Sequence, residues 1–395
     1  MAVDPLILVS NPGSASRKYA LFRGKKSLAQ LHFEYDADKV VCSVFFDDQK
    51  HQTKIDASSI DQSVDYLIPI LKEYEILPDD EKIGHIGLRI VAPSSFFLEH
   101  RVMNDETVKR LEKILPHAPL HIEATLQEFH SLKTRFPHTT IFGASDSAFH
   151  ATKPDYAWNY GLPLGDADRF EIKRFGYHGL SFASAVRNLR SSDRIPPRLI
   201  ICHLGSGASV AAIWHGKSHD TTMGYSPLEG LIMATRSGTI DVVAAQVLKT
   251  ELGLDDLGLQ EYLNKKSGLL GLSGKSSDIR EVLKLEEDGN HHAKLALQTY
   301  VYNVQKAIGQ MSAALGGADM LVFTGTVGER SAPMRTRITE ALGYMDFVID
   351  SKSNEKCIGP EAPICISRLA QSKPIFVVPA DEAQEIANII HAKYA

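Results

Sequence analysis

Apolar and polar residues follow two different periodicities along this chain. Residues 242–262 and 291–316 carry apolar side chains three and four positions apart, which predicts helices. The second segment ends on Gly316 and Gly317, a common way for a helix to end. Short apolar runs typical of buried strands occur at 6–10, 199–204 and 320–323. Strand-like and helix-like segments that alternate in this way favour α/β or α+β layers over a helical bundle or a sandwich.

Two segments about half a chain apart share one pattern. Residues 6–34 begin with the apolar run LILVS, continue through the small-residue turn of NPGSASRKY and reach the basic turn RGKK. Residues 199–222 begin with LIICHL, continue through GSGAS and VAAIW and reach the turn HGK. Each segment predicts a β-hairpin with a phosphate-sized loop at its tip. The recurrence indicates two related domains, and the alternative is a chance likeness between two ordinary hairpins.

Length and composition bound the class of protein. At about 150 residues per domain, 395 residues suggest two or three domains. A hydrophobic fraction of 44% and a charged fraction of 23% are ordinary for a globular protein and exclude a disordered or fibrous chain. No apolar run approaches the ~18 residues that a membrane span needs. The start, MAVDPLILVSNPGS, has no basic segment before its apolar run and does not predict a secretory signal.

Charge and cysteine usage exclude further classes. The 43 Lys and Arg residues against 48 Asp and Glu residues give a formal net charge of -5 without a basic tail. Such a chain is a poor general binder of nucleic acid or membranes, so we expect neither partner. The four cysteines are scattered and have no C-x-x-C spacing, which predicts neither a zinc site nor a disulfide framework. A reducing, cytoplasmic location fits this usage best.

Three familiar motifs are ruled out by their spacing. LSGKSSD, at 272–278, is not a phosphate-binding P-loop, because Leu269 stands where that motif requires Gly. GSGAS, at 205–209, is not a dinucleotide-binding fingerprint, because it lacks the third Gly and is followed by the strand-like VAAIW. The 16 histidines include no H-E-x-x-H, so no zinc hydrolase is indicated.

Three Gly- and Ser-rich turns nevertheless follow apolar runs. They lie in NPGSAS, GSGAS and TGTVGE, the last after the run at 320–323. Backbone N–H groups in such turns offer positive dipoles to phosphate, and Gly325 and Gly328 permit a close backbone approach. Together the three turns predict a bound nucleotide or polyphosphate.

Three basic side chains are candidates for chemistry at an anion. Arg89 lies in the apolar segment HIGLRIVAP, where a guanidinium is costly unless it meets an anion, and the alternative is a buried structural ion pair. Arg236, in MATRSGTID, suits a phosphoryl group in transfer, and the alternative is a solvated surface residue. His178, in FGYHGLSF, is a candidate catalytic residue, against the alternative of a hydrogen-bonded core histidine.

Two carboxylates follow strand-like runs. Asp146 comes after the run in IFGASDSAFH, where carboxylates often serve metal or acid–base chemistry, and the alternative is a helix N-cap. Glu382 follows PIFVVPA and is preceded by Asp381. Either of these two could hold magnesium through water or cap the helix predicted in EAQEIANIIHAKY.

With these motifs in order, the chain resembles the acetate kinase family, enzymes that transfer phosphate between ATP and a short carboxylate. DTTMGYSPLEGLIMATRSGTID, at 220–241, is close to the family's D-T-S-M-G-x-T-P-L-E-G-x-M-M-G-T-R-S-G-D-I-D. ICHLGSGAS, SGLLGLSGKSSDIR and VFTGTVGERSA match further blocks, and the resemblance runs from NPGSASRKY to VVPADEAQEIA. It implies an α/β fold of two ribonuclease-H-like domains of the actin/hexokinase type with an active-site cleft between them. The expected domains are 1–148 with 383–395, on the carboxylate side, and 149–382, on the nucleotide side.

The resemblance also implies site residues by position. The implied catalytic residues are Asp146, His178 and Arg236, and the implied magnesium-associated residues are Asn11 and Glu382. Arg89 matches the arginine that grips the carboxylate, and the small acyl pocket is implied at Val91, Leu120, His121, Tyr177 and Pro227. The implied nucleotide-binding residues are Ser14, Ser16, Lys18, His203, Leu204, Gly205, Ser206, Gly207, Asp278, Ile279, Arg280, Gly325, Thr326, Val327, Gly328 and Glu329.

Several positions depart from the family pattern. The family's G-H-R-V-V-H-G-G reads GLRIVAPS here, and its A-P-L-H-N-P reads APLHIEA. Non-family residues stand at Leu88, Ala92, Ile122, Glu123, Leu180, Phe182, Ser206, Thr326 and Arg330. Tyr177, in place of the family's Phe, adds a hydroxyl near the implied acyl pocket. Because the changes concentrate near that pocket, we expect an altered acyl preference or reduced turnover with the fold retained.

The expected activity is therefore that of an ATP-dependent kinase that phosphorylates a short carboxylate, acetate first and propionate next, to an acyl phosphate and ADP. The resemblance implies Mg²⁺ or Mn²⁺ as the metal and a homodimer as the assembly. One alternative is a kinase for butyrate or another larger carboxylate. The other is a nucleotide-binding homologue of the same fold with impaired catalysis.

Overall fold

The computed structural model describes residues 4–13, 16–36, 39–57, 59–192, 194–368 and 370–394. The chain folds into two compact units. Unit 1 comprises Met1–Ala148 and Asp381–Ala395, and unit 2 comprises Phe149–Ala380. The sequence placed the second change of unit after Glu382, whereas the fold places it after Ala380, so Glu382 belongs to unit 1.

Unit 1 is built on an eight-stranded mixed sheet. Its strands are β1 Leu6–Pro12, β2 Ser16–Arg23, β3 Lys26–Asp36, β4 Lys39–Phe46, β5 Gln49–Lys54, β6 Ile83–Ile90, β7 Arg101–Val102 and β8 Thr140–Ser145. Their order in the sheet is β5-β4-β3-β2-β1-β6-β8-β7. The α-helices α1 Ser63–Glu73, α2 Asp105–Ile114 and α3 Pro119–Arg135 follow in the chain, and the helix Glu382–Tyr394, α14 in chain order, completes the unit.

Helices cover both faces of this sheet. Ile86 and Leu88 of β6 point into a core that includes residues of α1 and α3. Gly87, between them, points to the opposite face, where a Cβ atom would lie 2.3 Å from Ile386 Cγ2 of α14. The absence of a side chain at Gly87 therefore lets α14 pack directly on the strand, which fixes the position of Glu382 at the first turn of α14.

Unit 2 is built on a six-stranded mixed sheet. Its strands are β9 Arg198–Leu204, β10 Ala208–Trp214, β11 Lys217–Thr221, β12 Met320–Thr324, β13 Ile364–Cys365 and β14 Ile375–Val377, in the order β11-β10-β9-β12-β14-β13. Its helices are α4 Leu164–Arg169, α5 Gly179–Arg190, α6 Val242–Glu251, α7 Asp256–Lys265, α8 Gly268–Ser273, α9 Ile279–Glu287, α10 His291–Leu315, α11 Gly325–Arg330, α12 Ala332–Thr339 and α13 Ser351–Lys356.

The same strand topology occurs in both units. In unit 1, β3, β2 and β1 are antiparallel neighbours, and β6 and β8 continue the sheet parallel to β1. In unit 2, β11, β10 and β9 are antiparallel neighbours, and β12 and β14 continue the sheet parallel to β9. The predicted α/β class and the ribonuclease-H-like arrangement are confirmed, and the hairpin pattern in the sequence corresponds to a real structural repeat.

The predicted helical segments also form, with one interruption. Residues 291–316 become α10, which ends at Gly316 in the left-handed conformation. Residues 242–262 become two helices, α6 and α7, because Gly253 turns the chain with a φ of +62° between them. Among the described helices, none has the length and apolar character needed to cross a bilayer.

Candidate active site

In unit 1, polar side chains gather at one edge of the sheet. Strands β1, β6 and β8 are parallel neighbours, so their carboxyl ends meet at the same edge. Asn11 lies near the end of β1, Arg89 lies near the end of β6, and Asp146 follows β8 directly. Glu382, which begins α14, joins them. Three of these side chains lie together because three parallel strands end beside one another, and the start of α14 adds the fourth.

Arg89 is the centre of this group. Its Nη1 donates to Glu382 Oε2 at 3.0 Å and to Asn11 Oδ1 at 3.2 Å, and its Nη2 donates to Asp146 Oδ2 at 3.0 Å. Asn11 Nδ2 donates to the same Glu382 oxygen at 3.1 Å. The four predicted residues of unit 1 therefore form one hydrogen-bonded cluster, and the ion-pair alternative raised for Arg89 is also realised.

The carboxylates of the cluster keep the Arg89 guanidinium positively charged. Burial lowers the pKa of Arg89, but the neighbouring Asp146 and Glu382 carboxylates raise it further, and the net pKa lies above its ordinary value. The Asp146 side chain is 1% exposed, whereas Arg89 and Glu382 are each 18% exposed. Both terminal nitrogens of the guanidinium are held by carboxylates, and its 18% exposure leaves part of it accessible to an anion.

The turn that carries Asp146 is fastened by a histidine that sequence analysis did not select. Ser145 N donates to His100 Nδ1 at 3.1 Å, and Asp146 N donates to Ile90 O at 2.9 Å. Burial and the nearby Lys393 ammonium lower the pKa of His100 to about 4. The imidazole is therefore neutral at pH 7, and its Nδ1 accepts from the backbone beside Asp146.

The first predicted phosphate loop is only partly described. Ser14 lies outside the described residues, and Ser16 and Lys18 lie in β2. Lys18 pairs directly with Asn11 of β1, so the two side chains share one face of the sheet. Lys18 is exposed, which leaves its ammonium accessible on the face that carries Asn11.

The intervening Arg17 points into the unit 1 core. It donates to Gly13 O and to Asp61 Oδ1, and its Nε lies 3.5 Å from Glu128 Oε2. The sequence did not predict this buried charge. Alternation along β2 can place Arg17 on the inner face, but it does not show which carboxylates pair with it. Arg17 ties the end of the turn at Gly13 to the core.

In unit 2, the turn between β9 and β10 forms the second predicted phosphate loop. Gly205 N donates to Gly207 O at 2.9 Å, which closes a tight turn. Ala234 N donates to Ser206 O at 3.1 Å, so the turn is tied to the segment that carries Arg236. Of the two preceding residues, Leu204 is buried and His203 is half-buried.

His178 precedes α5 in the left-handed conformation, with a φ of +59°. Its Nδ1 lies 2.8 Å from Ser209 Oγ, and its ring stacks on that of His203 with centroids 4.1 Å apart. His203 Nδ1 in turn lies 2.8 Å from Ser181 Oγ. A non-glycine residue with positive φ is uncommon and is often found at functional sites.

Arg236 lies beside the same turn. Its Nη1 donates to Pro227 O at 3.3 Å. A Cβ atom at Gly207 would lie 3.0 Å from His178 Nε2 and 3.5 Å from Arg236 Nη1. The structure thus brings together three of the residues selected from the sequence, and the missing side chain at Gly207 is what allows their close approach.

The predicted adenosine-side segment is partly different from the expected turn. Residues Gly325–Arg330 form the short helix α11, which Gly325 enters with a φ of +77° against Leu204. Thr326 is exposed, Val327 is half-buried and Gly328 is buried. The helix forms because Gly325 supplies the positive φ that starts it at the end of β12.

The Glu329 carboxylate has structural partners in this segment. Its Oε1 accepts from Gly325 N and from Ala380 N, each at 2.9 Å. Burial raises the pKa of Glu329, while these two hydrogen bonds act in the opposite direction. The side chain therefore joins the start of α11 to the segment after β14, a role that the sequence pattern did not predict.

Asp278 and Arg280 lie at the start of α9. Asp278 Oδ1 caps the helix by accepting from Arg280 N at 2.8 Å, and Arg280 Nη2 donates to Asp278 Oδ2 at 2.5 Å. Ile279 between them is buried. The Arg280 side chain is 86% exposed, so its guanidinium is accessible to a ligand.

The predicted acyl-pocket residues belong to both units. In unit 1, Val91 follows β6 and is half-buried, Leu120 lies in α3 with its side chain outside the described part, and His121 is half-buried. In unit 2, Tyr177 and Pro227 are buried. The Tyr177 hydroxyl donates to Tyr225 O at 2.6 Å, so it holds the loop that leads to Pro227.

The departures from the family pattern contribute to the two cores. Leu88, Ala92 and Ile122 belong to the unit 1 core. Leu180 and Phe182 are buried in unit 2. Apolar side chains thus fill positions where the family pattern has polar ones. Because these side chains are packed in the cores, the fold accommodates the substitutions.

The side-chain oxygens of Asn11 and Glu382 are suitable ligands for magnesium. Among the residues described, no group of three or more His, Cys, Asp or Glu side chains could hold a metal ion. Asn11 Oδ1 and Glu382 Oε2 are two oxygens that lie close together, and in this structure both accept from Arg89 Nη1. Mg²⁺ prefers oxygen ligands and is commonly held by one or two protein oxygens together with water and substrate phosphates, and this pair fits that chemistry.

Comparison with known proteins gives one consistent result. The acetokinase family model matches residues 6–388. Acetate kinase of Bacteroides thetaiotaomicron is 36% identical over 391 residues, which are 97% of this chain and 98% of that protein. Acetate kinase of Thermoanaerobacter pseudethanolicus is 36% identical over 396 residues, with 97% of each chain covered.

Solved structures agree with these matches. The acetate kinase of Porphyromonas gingivalis superposes with a TM-score of 0.85 at 34% identity and 98% coverage of both chains. A propionate kinase from Francisella tularensis superposes with a TM-score of 0.87 at 32% identity, covering 97% of this chain and 98% of that one. The family model spans residues 6–388, and one relative is 36% identical over 97% of this chain. The chain therefore belongs to the acetokinase family and is a phosphotransferase with a carboxyl group as acceptor.

Proposed function

We propose that this ATP-dependent carboxylate kinase phosphorylates acetate, and propionate less readily, to the acyl phosphate. The observation that carries the proposal is the Arg89 guanidinium, held by Asn11, Asp146 and Glu382 at the ends of three parallel strands. A fixed, partly open cation suits a small carboxylate. Acetate and propionate appear in the names of the relatives and structural neighbours, which supports a short acyl group.

Unit 1 would bind and orient the acceptor. Arg89 would grip the substrate carboxylate, and Asp146 and Glu382 would hold the guanidinium in place. The buried Asp146 acts as a charge that orients Arg89, and its carboxylate also lies at the edge where the acceptor would bind. Val91, Leu120 and His121 of this unit would contact the acyl chain.

Unit 2 would bind the nucleotide and stabilise the phosphoryl group. The Gly205–Gly207 turn would present backbone N–H groups to phosphate. His178 and Arg236, both near Gly207, would donate to the oxygens of the group in transfer, where negative charge is greatest. Asp278, Arg280 and α11 would contact the adenosine side.

The chemistry needs no covalent enzyme intermediate. A carboxylate oxygen of the substrate attacks the γ-phosphorus in line, the bond from phosphorus to the bridging oxygen breaks, and ADP leaves. Arginine and histidine donors offset the repulsion between the two anions. Asn11 and Glu382 would hold Mg²⁺, which when bound supplies further neutralisation of phosphate charge.

An exposed apolar surface supports a homodimer. Helices α6 and α7 leave large apolar side chains in water, among them Val242 at 67% and Leu257 at 61% exposed. Exposed apolar side chains grouped on one segment mark an interaction site. A second copy of the chain would cover them, and size-exclusion chromatography with light scattering measures this directly.

A cytoplasmic location is part of the same proposal. The thiols of Cys42, Cys202, Cys357 and Cys365 are all free. Free thiols are typical of a reducing compartment.

The deciding experiment is hydroxylamine trapping of the acyl phosphate. Purified protein is incubated with Mg-ATP and, in separate reactions, acetate, propionate, butyrate or no acid. We expect hydroxamate with acetate, less with propionate and none without acid. Preference for butyrate would support the larger-substrate alternative, which the altered residues around Arg89 favour. ATP binding without hydroxamate from any acid would contradict the proposal and favour a catalytically impaired homologue.

A further inference from the structure

Two buried serines hold the stacked imidazoles of unit 2. Ser209, on β10, has its Oγ 2.8 Å from His178 Nδ1, and Ser181, on α5, has its Oγ 2.8 Å from His203 Nδ1. Both serine side chains are fully buried. The two imidazole planes are inclined by 28° with centroids 4.1 Å apart. Each ring is therefore held at one nitrogen by a hydroxyl and on one face by the other ring.

The Nε2 atoms of both rings lie near the glycine turn. A Cβ atom at Gly207 would lie 3.0 Å from His178 Nε2, and one at Gly205 would lie 3.6 Å from His203 Nε2. The two Nε2 atoms thus approach the same three-residue turn. Nitrogens in this position meet whatever ligand the turn binds.

The proton on each ring decides what its Nε2 can do. A neutral imidazole with its proton on Nε2 donates there and accepts at Nδ1, whereas the other tautomer reverses these roles. A serine hydroxyl that donates to Nδ1 selects the tautomer with the Nε2 proton. Two imidazolium ions 4.1 Å apart would repel strongly in a partly buried site, so at least one ring must rely on this tautomer to donate.

We propose that Ser209 and Ser181 are positioning residues that hold His178 and His203 with both Nε2–H groups donating to phosphoryl oxygens at the Gly205–Gly207 turn. The pair of rings then forms a two-donor cradle for one anionic group. The inference rests on the proposed phosphoryl transfer and deepens it, because it names the donor atom of His203 and assigns a role to two serines that the proposed function does not use.

The test compares Ser209→Ala and Ser181→Ala with Ser184→Ala. Ser184 is also a fully buried serine on α5, and its Oγ accepts from Arg187 Nη2 at 3.4 Å. We expect kcat to fall about 10- to 100-fold in the first two variants, since loss of a residue that orients a reacting group typically costs that much. The KM for ATP should stay within about twofold, because the donors act mainly on charge that develops during transfer. Ser184→Ala should keep the wild-type kcat.

A spectroscopic arm separates positioning from general destabilisation. In protein labelled with ¹⁵N-histidine and saturated with ADP, the Nδ1 and Nε2 shifts of His178 should report the Nε2–H tautomer in the wild type. Ser209→Ala should move them toward a tautomer mixture. Unchanged nitrogen shifts, or a kcat within about twofold of wild type in both serine variants, would overturn the proposal.

The two variants are read separately, so a folding defect in one leaves the other informative. Circular dichroism and ADP binding identify such a defect. If the wild type forms no acyl phosphate from any acid, the proposed function fails, while the nitrogen shifts still decide whether the serines set the tautomers.

Discussion

Arg89 and Asp146 form an ion pair in which Arg89 Nη2 donates to Asp146 Oδ2 at 3.0 Å and the carboxylate side chain is 1% exposed. Glu382 and Asn11 hold the other end of the guanidinium. The buried carboxylate needs the cation for its own stability, and the cation needs the carboxylate for its orientation. Stability and substrate binding are thus coupled in the same pair.

Replacing Arg89 alone, or Arg89 together with Asp146, should separate the contribution of the ion pair to stability from its contribution to substrate binding. Arg89→Gln leaves the Asp146 charge buried without its cation, so we expect a loss of about 3–5 kcal/mol in the free energy of unfolding. The double variant Arg89→Gln/Asp146→Asn removes both charges and should recover most of that loss. Urea denaturation measures both values. Equal instability of the single and double variants would show that the ion pair is not the source.

Neither variant should regain activity. The KM for the carboxylate should rise at least about tenfold in Arg89→Gln, because the fixed cation for the substrate is gone. The recovered stability of the double variant makes it the matched control, since a stable protein without turnover assigns the loss to binding and chemistry.

Arg236→Ala should lower kcat far more than it changes ATP affinity. Arg236 lies beside His178 and the Gly207 turn, where it would meet the phosphoryl group in transfer. We expect kcat to fall at least about 100-fold, with the KM for ATP within about threefold. The exposed Arg194, which stacks on Phe376, gives a control variant, Arg194→Ala, that should keep full activity. A change in ATP affinity alone would contradict the assigned role.

Gly207→Ala should disturb the site through one methyl group. Its Cβ would lie 3.0 Å from His178 Nε2, closer than ordinary contact, so the imidazole or the turn must shift. Misplacement by a fraction of an ångström at a reacting centre should lower kcat by about 10-fold or more. Gly161→Ala is the matched control, because nothing lies within 4 Å of its Cβ. Steady-state kinetics of the two variants, with melting temperatures, distinguish a local effect from unfolding.

The His100 imidazole should make stability depend on acid pH. Its pKa is lowered to about 4 in the folded state, against about 6.5 in an unfolded chain. Between those values the unfolded state binds more protons, so stability is full above pH 6.5 and falls as the pH drops toward 4. The total contribution is about 3 kcal/mol.

Urea denaturation at several pH values checks this directly. His100→Asn should flatten the slope between pH 6.5 and 4, because the titrating ring is gone. His138→Asn, at an exposed histidine, should leave the slope unchanged. A wild-type slope that persists in His100→Asn would place the titration elsewhere.

The sequence predicted much of the fold because its strongest signals are local. Apolar runs that end in Gly- and Ser-rich turns marked the β1–β2 and β9–β10 hairpins, and the spacing of apolar residues marked α10. Arg89, Asp146 and Glu382 stood out because charged residues at the ends of apolar runs are conspicuous. Their assembly into one cluster depends on strand order, which the residues alone did not specify.

Other features depended on interactions between distant segments. Ser181, Ser209 and His100 act through partners 22, 31 and 45 positions away, and no spacing rule connects such pairs. Ser209 alone had a usable signal, because it belongs to the GSGAS segment and is the second residue of β10. The dual role of Glu329, between Gly325 and Ala380, likewise required the fold.

The packing of α14 on β6 has a consequence for biosynthesis. Unit 1 is made from two stretches of chain, and the face of its sheet at Gly87 is covered by Ile386 and Ile390, which follow the whole of unit 2. On the ribosome, the strands of unit 1 therefore emerge long before the helix that shields them. The nascent chain must keep that apolar face from other chains while unit 2 is translated, and a product that stops at residue 148 would carry the exposed face permanently.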